Sequence, residues 1–63
     1  MPKFVKVMDK TDLELVINVD EIRDLTPFQR DWLKGAIIHM KTGNDYTLRP
    51  IDGQNLRDFL LNL

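Results

Sequence analysis

The side chains able to do covalent or acid–base chemistry are few and scattered. His39 is the only histidine, and four threonines (Thr11, Thr26, Thr42, Thr47) are the only aliphatic hydroxyls, since the 63-residue chain has no serine and no cysteine. A histidine acts as a general base only beside a nucleophile, and alternation along the predicted strand Ala36 to Lys41 puts His39 on a half-exposed face with Ile37 and Lys41. Asp20, Glu21 and Asp24 form an acidic cluster, but acids gathered at the start of a helical turn are explained by the positive end of its dipole. A paired-carboxylate hydrolase also needs a cleft, which so short a chain scarcely supplies. The three glycines are too dispersed for a phosphate loop, and one histidine without cysteine makes no metal cluster. The reading is therefore non-enzymatic, with no catalytic residue, no metal and no cofactor.

The constellation that stands out is aromatic and basic. Phe28 and Trp32 are four residues apart, flanked by Arg30 and Lys34. Tryptophan and arginine are enriched where binding energy is concentrated, so these four residues are the candidate binding set, suited to an acidic partner surface. Their placement rests on local punctuation. Thr26 has the character of an N-cap, Pro27 fits the first helical position, Gln29 completes a capping box, and Gly35 suits a C-terminal cap. The spacing predicts a two-turn helix over Pro27 to Lys34, with Phe28 and Trp32 on one face and serving either as core or as interface.

The rest of the chain reads as two hairpins and a helix. Lys3 to Met8 is a predicted strand, Asp9 to Asp12 a turn, and Leu13 to Val19 an alternating return strand. Asp20 is expected to cap a short helical turn reaching Leu25. Ala36 to Lys41 and Tyr46 to Arg49 make the second hairpin around the Thr42-Gly43-Asn44-Asp45 turn. Asp52 is expected to cap a final helix with Leu56, Phe59, Leu60 and Leu63 on one stripe, Phe59 and Leu60 lying centrally in it and Leu61 off it. The fold class predicted is α+β, in the order β-β-α-β-β-α. A four-stranded antiparallel sheet is covered on one face by the C-terminal helix, in one domain over 1–63. The two hairpins are offset by 33 residues and are followed by Ile22-Arg23-Asp24-Leu25 and Leu56-Arg57-Asp58-Phe59, which suggests an internal ββα repeat over 3–25 and 36–62.

Charge and size narrow the function classes. Net charge is -1 with a pI near 5.6, unlike the concentrated positive charge of nucleic-acid binders. Residues 9–24 hold six acids against Lys10 and Arg23, while Arg30, Lys34, Lys41 and Arg49 outnumber Asp31 and Asp45 over 30–49. A chain this short buries only about 60% of its unfolded surface, so the core is thin and oligomerisation commonly supplements it. The second sheet face is expected to be mixed, with Val16 beside Glu14 and Asn18, Ile37 beside His39 and Lys41, and Ile51 following Thr47 and Arg49. The expectation is a homodimer through this face, acidic segment against basic segment. The competing arrangement folds the Pro27–Lys34 helix over it. No apolar run approaches the roughly 20 residues of a membrane span and none resembles a signal peptide, so the expectation is a cytoplasmic protein without membrane contact.

Leu15-Val16-Ile17-Asn18-Val19-Asp20-Glu21-Ile22 and Ile38-His39-Met40-Lys41-Thr42-Gly43-Asn44-Asp45-Tyr46-Thr47-Leu48 carry a resemblance. The Asn-x-Asp-x-Ile strand end, followed by a hairpin with a glycine turn before an aromatic residue, resembles the small FlbD-like family of bacterial flagellar operons. The order of elements is similar to part of the LytTR-type β-roll, which binds DNA. The resemblance spans about two thirds of the chain, departs from both families over Thr26 to Gly35, and transfers no functional residue. It implies a small bacterial or phage accessory protein acting through protein interactions, the alternative being a nucleic-acid-binding regulator.

Overall fold

A computed structural model describes residues 3–63 of the chain. The α+β class is observed, in two antiparallel sheets and one C-terminal helix. Strands β1 (Phe4–Met8) and β2 (Glu14–Asn18) form the first hairpin. Strands β3 (Ile22–Pro27), β4 (Ala36–Met40) and β5 (Asp45–Leu48) form a three-stranded sheet with β4 in the middle, and α1 spans Pro50–Leu61. The four-stranded sheet of the sequence reading is thus replaced by five strands in two sheets. The sheets meet where β1 runs out: Arg49 N–H donates to the Met8 carbonyl and Lys10 N–H to Thr47, around an isolated Asp9–Leu48 bridge.

The alternation of β1 and β2 works as the period-two pattern requires. Val7 and Ile17 point inward and are buried, while Lys6, Glu14 and Val16 point out. The turn is held by Asp9, whose Oδ1 accepts from the Thr11 hydroxyl (2.7 Å) and from the N–H groups of Thr11 (2.8 Å) and Leu13 (2.9 Å). The Thr11 hydroxyl bond, with the backbone bonds behind it, holds the Asp9 carboxyl below its ordinary value. Val7, Ile17, Ile38, Met40, Leu48 and Leu56 then form one core shared by both sheets and the helix.

Local signals are overruled at two places. Residues 20–25 are not a helical turn. Asn18, rather than Asp20, caps a single 3-10 turn (Val19–Glu21) by accepting from Asp20 N–H, and the chain enters β3 at Ile22. The Ile22–Leu25 tetrad therefore lies in a strand, whereas Leu56–Phe59 lies in α1. The Pro27–Lys34 helix does not form either. Thr26 and Pro27 pair with Ile37 and Ala36 as the end of β3, because the ladder to β4, in register from Asp24 to Pro27, outweighs one cap. Phe28–Arg30 and Trp32–Lys34 are separate 3-10 turns: the first holds Gln29 (φ 52°) and Arg30 (φ 63°) in the left-handed region, and the extended Asp31 divides them and caps the second by accepting from Leu33 N–H at 2.9 Å.

Gly35 does take a positive φ, 130°, and needs it, since a Cβ there would lie 2.5 Å from the Leu48 carbonyl oxygen. The helix α1 begins earlier than expected, with Pro50 in its first turn and Arg49 as the N-cap residue. Asp52 instead accepts from Arg49 Nε at 2.8 Å, and Arg49 Nη1 reaches Asp12 at 3.3 Å. Acidic and basic segments thus meet within one chain here. Leu56 anchors the helix at 3% exposure, but Phe59 is 38% exposed and Leu63 66%, so the stripe is only half used. Ile51 belongs to this helix, not to a sheet face, and is exposed. No helix among the described residues is long and apolar enough to cross a membrane.

Candidate interaction surface

The segment that carries Phe28, Arg30, Trp32 and Lys34 is a closed loop between β3 and β4. Phe28 N–H donates to the Gly35 carbonyl at 3.0 Å, extending the ladder by one rung, and the two 3-10 turns fill the interval. This geometry separates the aromatic pair. Phe28 turns toward the first hairpin, where the Lys10 ammonium sits 3.4 Å from its ring centroid. Trp32 turns toward α1, where the Arg57 guanidinium carbon lies 5.0 Å from the ring centroid and Gln54 Nε2 donates to the Trp32 carbonyl at 3.3 Å. The two rings therefore do not share a helical face, and the segment does not fold as a helix over the outer sheet face. Arg30 and Lys34 are exposed and make no ion pair among the described residues.

Beside Trp32 the surface opens into a groove of about 340 Å³, lined by Leu25, Trp32, Arg57, Leu60 and Leu61. Its origin lies in topology. Leu25 pairs with Ile38 and points to the core side of β3, but β3 is the outer strand of its sheet and α1 leaves it half-buried. Leu60 is partly covered against the core, while Leu61, one position round the helix, stands 77% exposed on the rim. Leu33, in the turn that carries Trp32, is 75% exposed. The groove is thus an apolar slot walled by an indole and one guanidinium, with Arg57 also 3.2 Å from Asp58. Of the four residues singled out by sequence, only Trp32 lines it. Leu25, Arg57, Leu60 and Leu61 were missed, although Leu61's position off the apolar stripe was a usable signal.

The outer face of the three-stranded sheet holds a second arrangement. His39 Nδ1 lies 3.0 Å from Asp45 Oδ1, and its Nε2 lies 3.1 Å from Thr26 Oγ1 and 3.8 Å from Asp24 Oδ1. With Nδ1–H donating to Asp45, Nε2 accepts from the Thr26 hydroxyl, which is the order hydroxyl, imidazole, carboxylate. Activating a nucleophile also needs donors aimed at a developing oxyanion, in a site that excludes water. β4 is laddered on both sides, so its N–H groups are spent on β3 and β5, and the face is open. The contacts make a cross-strand polar ladder tying three strands.

Comparison of the chain with family models, with curated proteins and with solved structures finds no match in any of the three.

Proposed function

We propose that the chain is a small, non-enzymatic accessory module that works by binding another protein. The observation that carries this reading is the groove beside Trp32. Leu61, Leu33 and the indole leave apolar surface exposed in a domain whose core is already short of apolar area. An apolar side chain of a partner fits the slot between Leu25, Leu60 and Leu61. Arg57 at the wall, with Arg30 and Lys34 on the neighbouring loop, favours carboxylates next to that side chain, so the occupant of best fit is an apolar residue flanked by acids. The net charge of -1 and the acidic 9–24 segment do not favour the nucleic-acid regulator that the LytTR likeness implies.

Selection from a displayed random-peptide library tests the reading. Peptides with an apolar anchor beside Asp or Glu are expected to enrich on the wild type and to be lost on Leu61→Asp, a substitution on an exposed rim. Enrichment of peptides indifferent to Leu61→Asp, or none at all, refutes it.

A further inference from the structure

From the free edge of the first hairpin we infer that β2 pairs with β2 of a second copy, making a two-fold dimer centred on Val16. The backbone geometry fixes which groups face outward. Val19 N–H donates to Lys3 and Asp9 N–H to Leu13, so residues whose numbers mirror across these pairs alternate between bonded and non-bonded positions. Leu15 and Ile17 therefore spend their N–H and C=O groups on Val7 and Val5. Those of Glu14, Val16 and Asn18 point away from β1; the Asn18 carbonyl takes the first bond of the Val19–Glu21 turn, and the groups of Glu14 and Val16 and the Asn18 N–H receive no backbone hydrogen bond among the described residues.

The other edges are guarded. β3 has a register irregularity between Ile22 and Asp24, carries the charged Arg23 and Asp24 there, and ends at Pro27. The far side of β1 is taken at Met8 by Arg49, just past β5, and flanked by α1, whose Asp52, Asn55, Leu56 and Phe59 face Val5, Lys6 and Val7 across a shallow groove. Of the devices that normally keep an edge from pairing, β2 has no bulge, no proline and no lysine, and its one charge, Glu14, lies at the end of the strand.

Register and occupant follow from the same residues. Val16 is the middle residue of a five-residue strand, so an antiparallel pairing centred on it engages all three outward residues at once, about four backbone hydrogen bonds from the free groups of Val16, the Asn18 N–H and the Glu14 carbonyl. Glu14 then faces Asn18 of the second copy. Centring on Glu14 would set two carboxylates against each other, and centring on Asn18 would run past the strand into the Val19–Glu21 turn. The edge is thus complementary to itself in one register. Its exposed side chains agree: Val16 (65% exposed) meets its symmetry mate on the outer face, with Phe4 (59%) nearby, and Leu13 (58%) lies alongside on the inner face. A strand this short buries less than a standard interface, so the dimer is weak and forms at high concentration.

Sedimentation equilibrium from about 10 µM to 1 mM, a range suited to a small interface, tests it on the whole chain. The wild-type mass should rise from 7.4 kDa toward twice that value. Val16→Lys should hold it at one chain with unchanged circular dichroism, because it sets two ammonium groups opposite each other at an exposed position. Leu61→Asp, in the groove, should dimerise like wild type. Amide exchange of Val16 and Asn18 should slow as concentration rises, whereas exchange at Arg23 should not. A wild-type mass of one chain throughout, dimerisation of Val16→Lys, or loss of the dimer in Leu61→Asp each overturns the inference.

Discussion

Replacing Gly53 by alanine reverses the sign expected of such a change in a helix. Gly53 lies in the first turns of α1 and is buried. At an exposed position Gly→Ala would favour the helix by about 0.8–1 kcal/mol. Here a Cβ would stand 2.6 Å from the Cβ of Ala36 and 3.2 Å from its backbone nitrogen, and Ala36 is fully buried in the middle strand. Neither atom is the end of a flexible side chain that could move aside. The helix has to back away from β4, and overpacking of this kind costs about 1–3 kcal/mol. With neighbours this close the repulsion is set toward the upper end of that range and outweighs propensity, for a net loss of up to about 2 kcal/mol. With an unfolding entropy of about 2.1 cal/mol/K per residue, each kcal/mol lowers the melting temperature of so small a domain by roughly 8 °C. Thermal melts followed by far-UV circular dichroism should show a drop of up to about twice that. The exchange of the two residues, Ala36→Gly with Gly53→Ala, moves the methyl group from sheet to helix and relieves the collision. The double variant should be more stable than the sum of the single effects by at least about 0.5 kcal/mol. A Gly53→Ala protein melting at or above the wild-type temperature would refute the close seating of α1 on β4.

Leu56→Ala should cost about 2–5 kcal/mol in urea unfolding, which for a domain of this size leaves little folded protein, while Phe59→Ala, at a position 38% exposed, should cost far less. Asp9→Asn should flatten the acid limb of the stability curve. The folded carboxyl titrates below its ordinary value, so its contribution is present above that ordinary value and disappears as pH falls through the lower, folded one. Chemical unfolding between about pH 2 and 5 checks this. Thr26→Val should change stability by less than about 1 kcal/mol, since valine keeps the strand and loses one part-buried hydroxyl bond to His39. On heparin at low salt the protein should elute without retention, and salt-dependent retention would revive the nucleic-acid reading.

The hairpins were legible because their information is local: alternation at Leu13 to Val19 and glycine-containing turn chemistry at 42–45 depend on near neighbours. The stretch from Asp20 to Gly35 was not, for a matching reason. Thr26, Pro27 and Gln29 satisfy a helix start locally, yet β4 offers Thr26 and Pro27 a ladder, and no sequence pattern marks Gln29 and Arg30 as left-handed. The interaction surface failed in the same way. Trp32 was visible as an aromatic among cations, but its neighbours depend on which loop rests on α1, so Arg57 and Leu60 became partners only once the chain had folded.

The partition into two sheets bears on how the molecule comes apart. Among the described residues, backbone hydrogen bonding joins the sheets only at the end of β1, around Asp9 and Leu48, so the ladders alone would let the first hairpin peel off as a separate unit. The side chains forbid it. Val7 and Ile17 from the hairpin share one buried cluster with Ile38, Met40, Leu48 and Leu56, and neither sheet keeps a core of its own if they part. Cooperativity in this domain is carried by packing across the gap rather than by the hydrogen-bond network, so a cavity made at Val7 loosens the three-stranded sheet as surely as the hairpin that holds it.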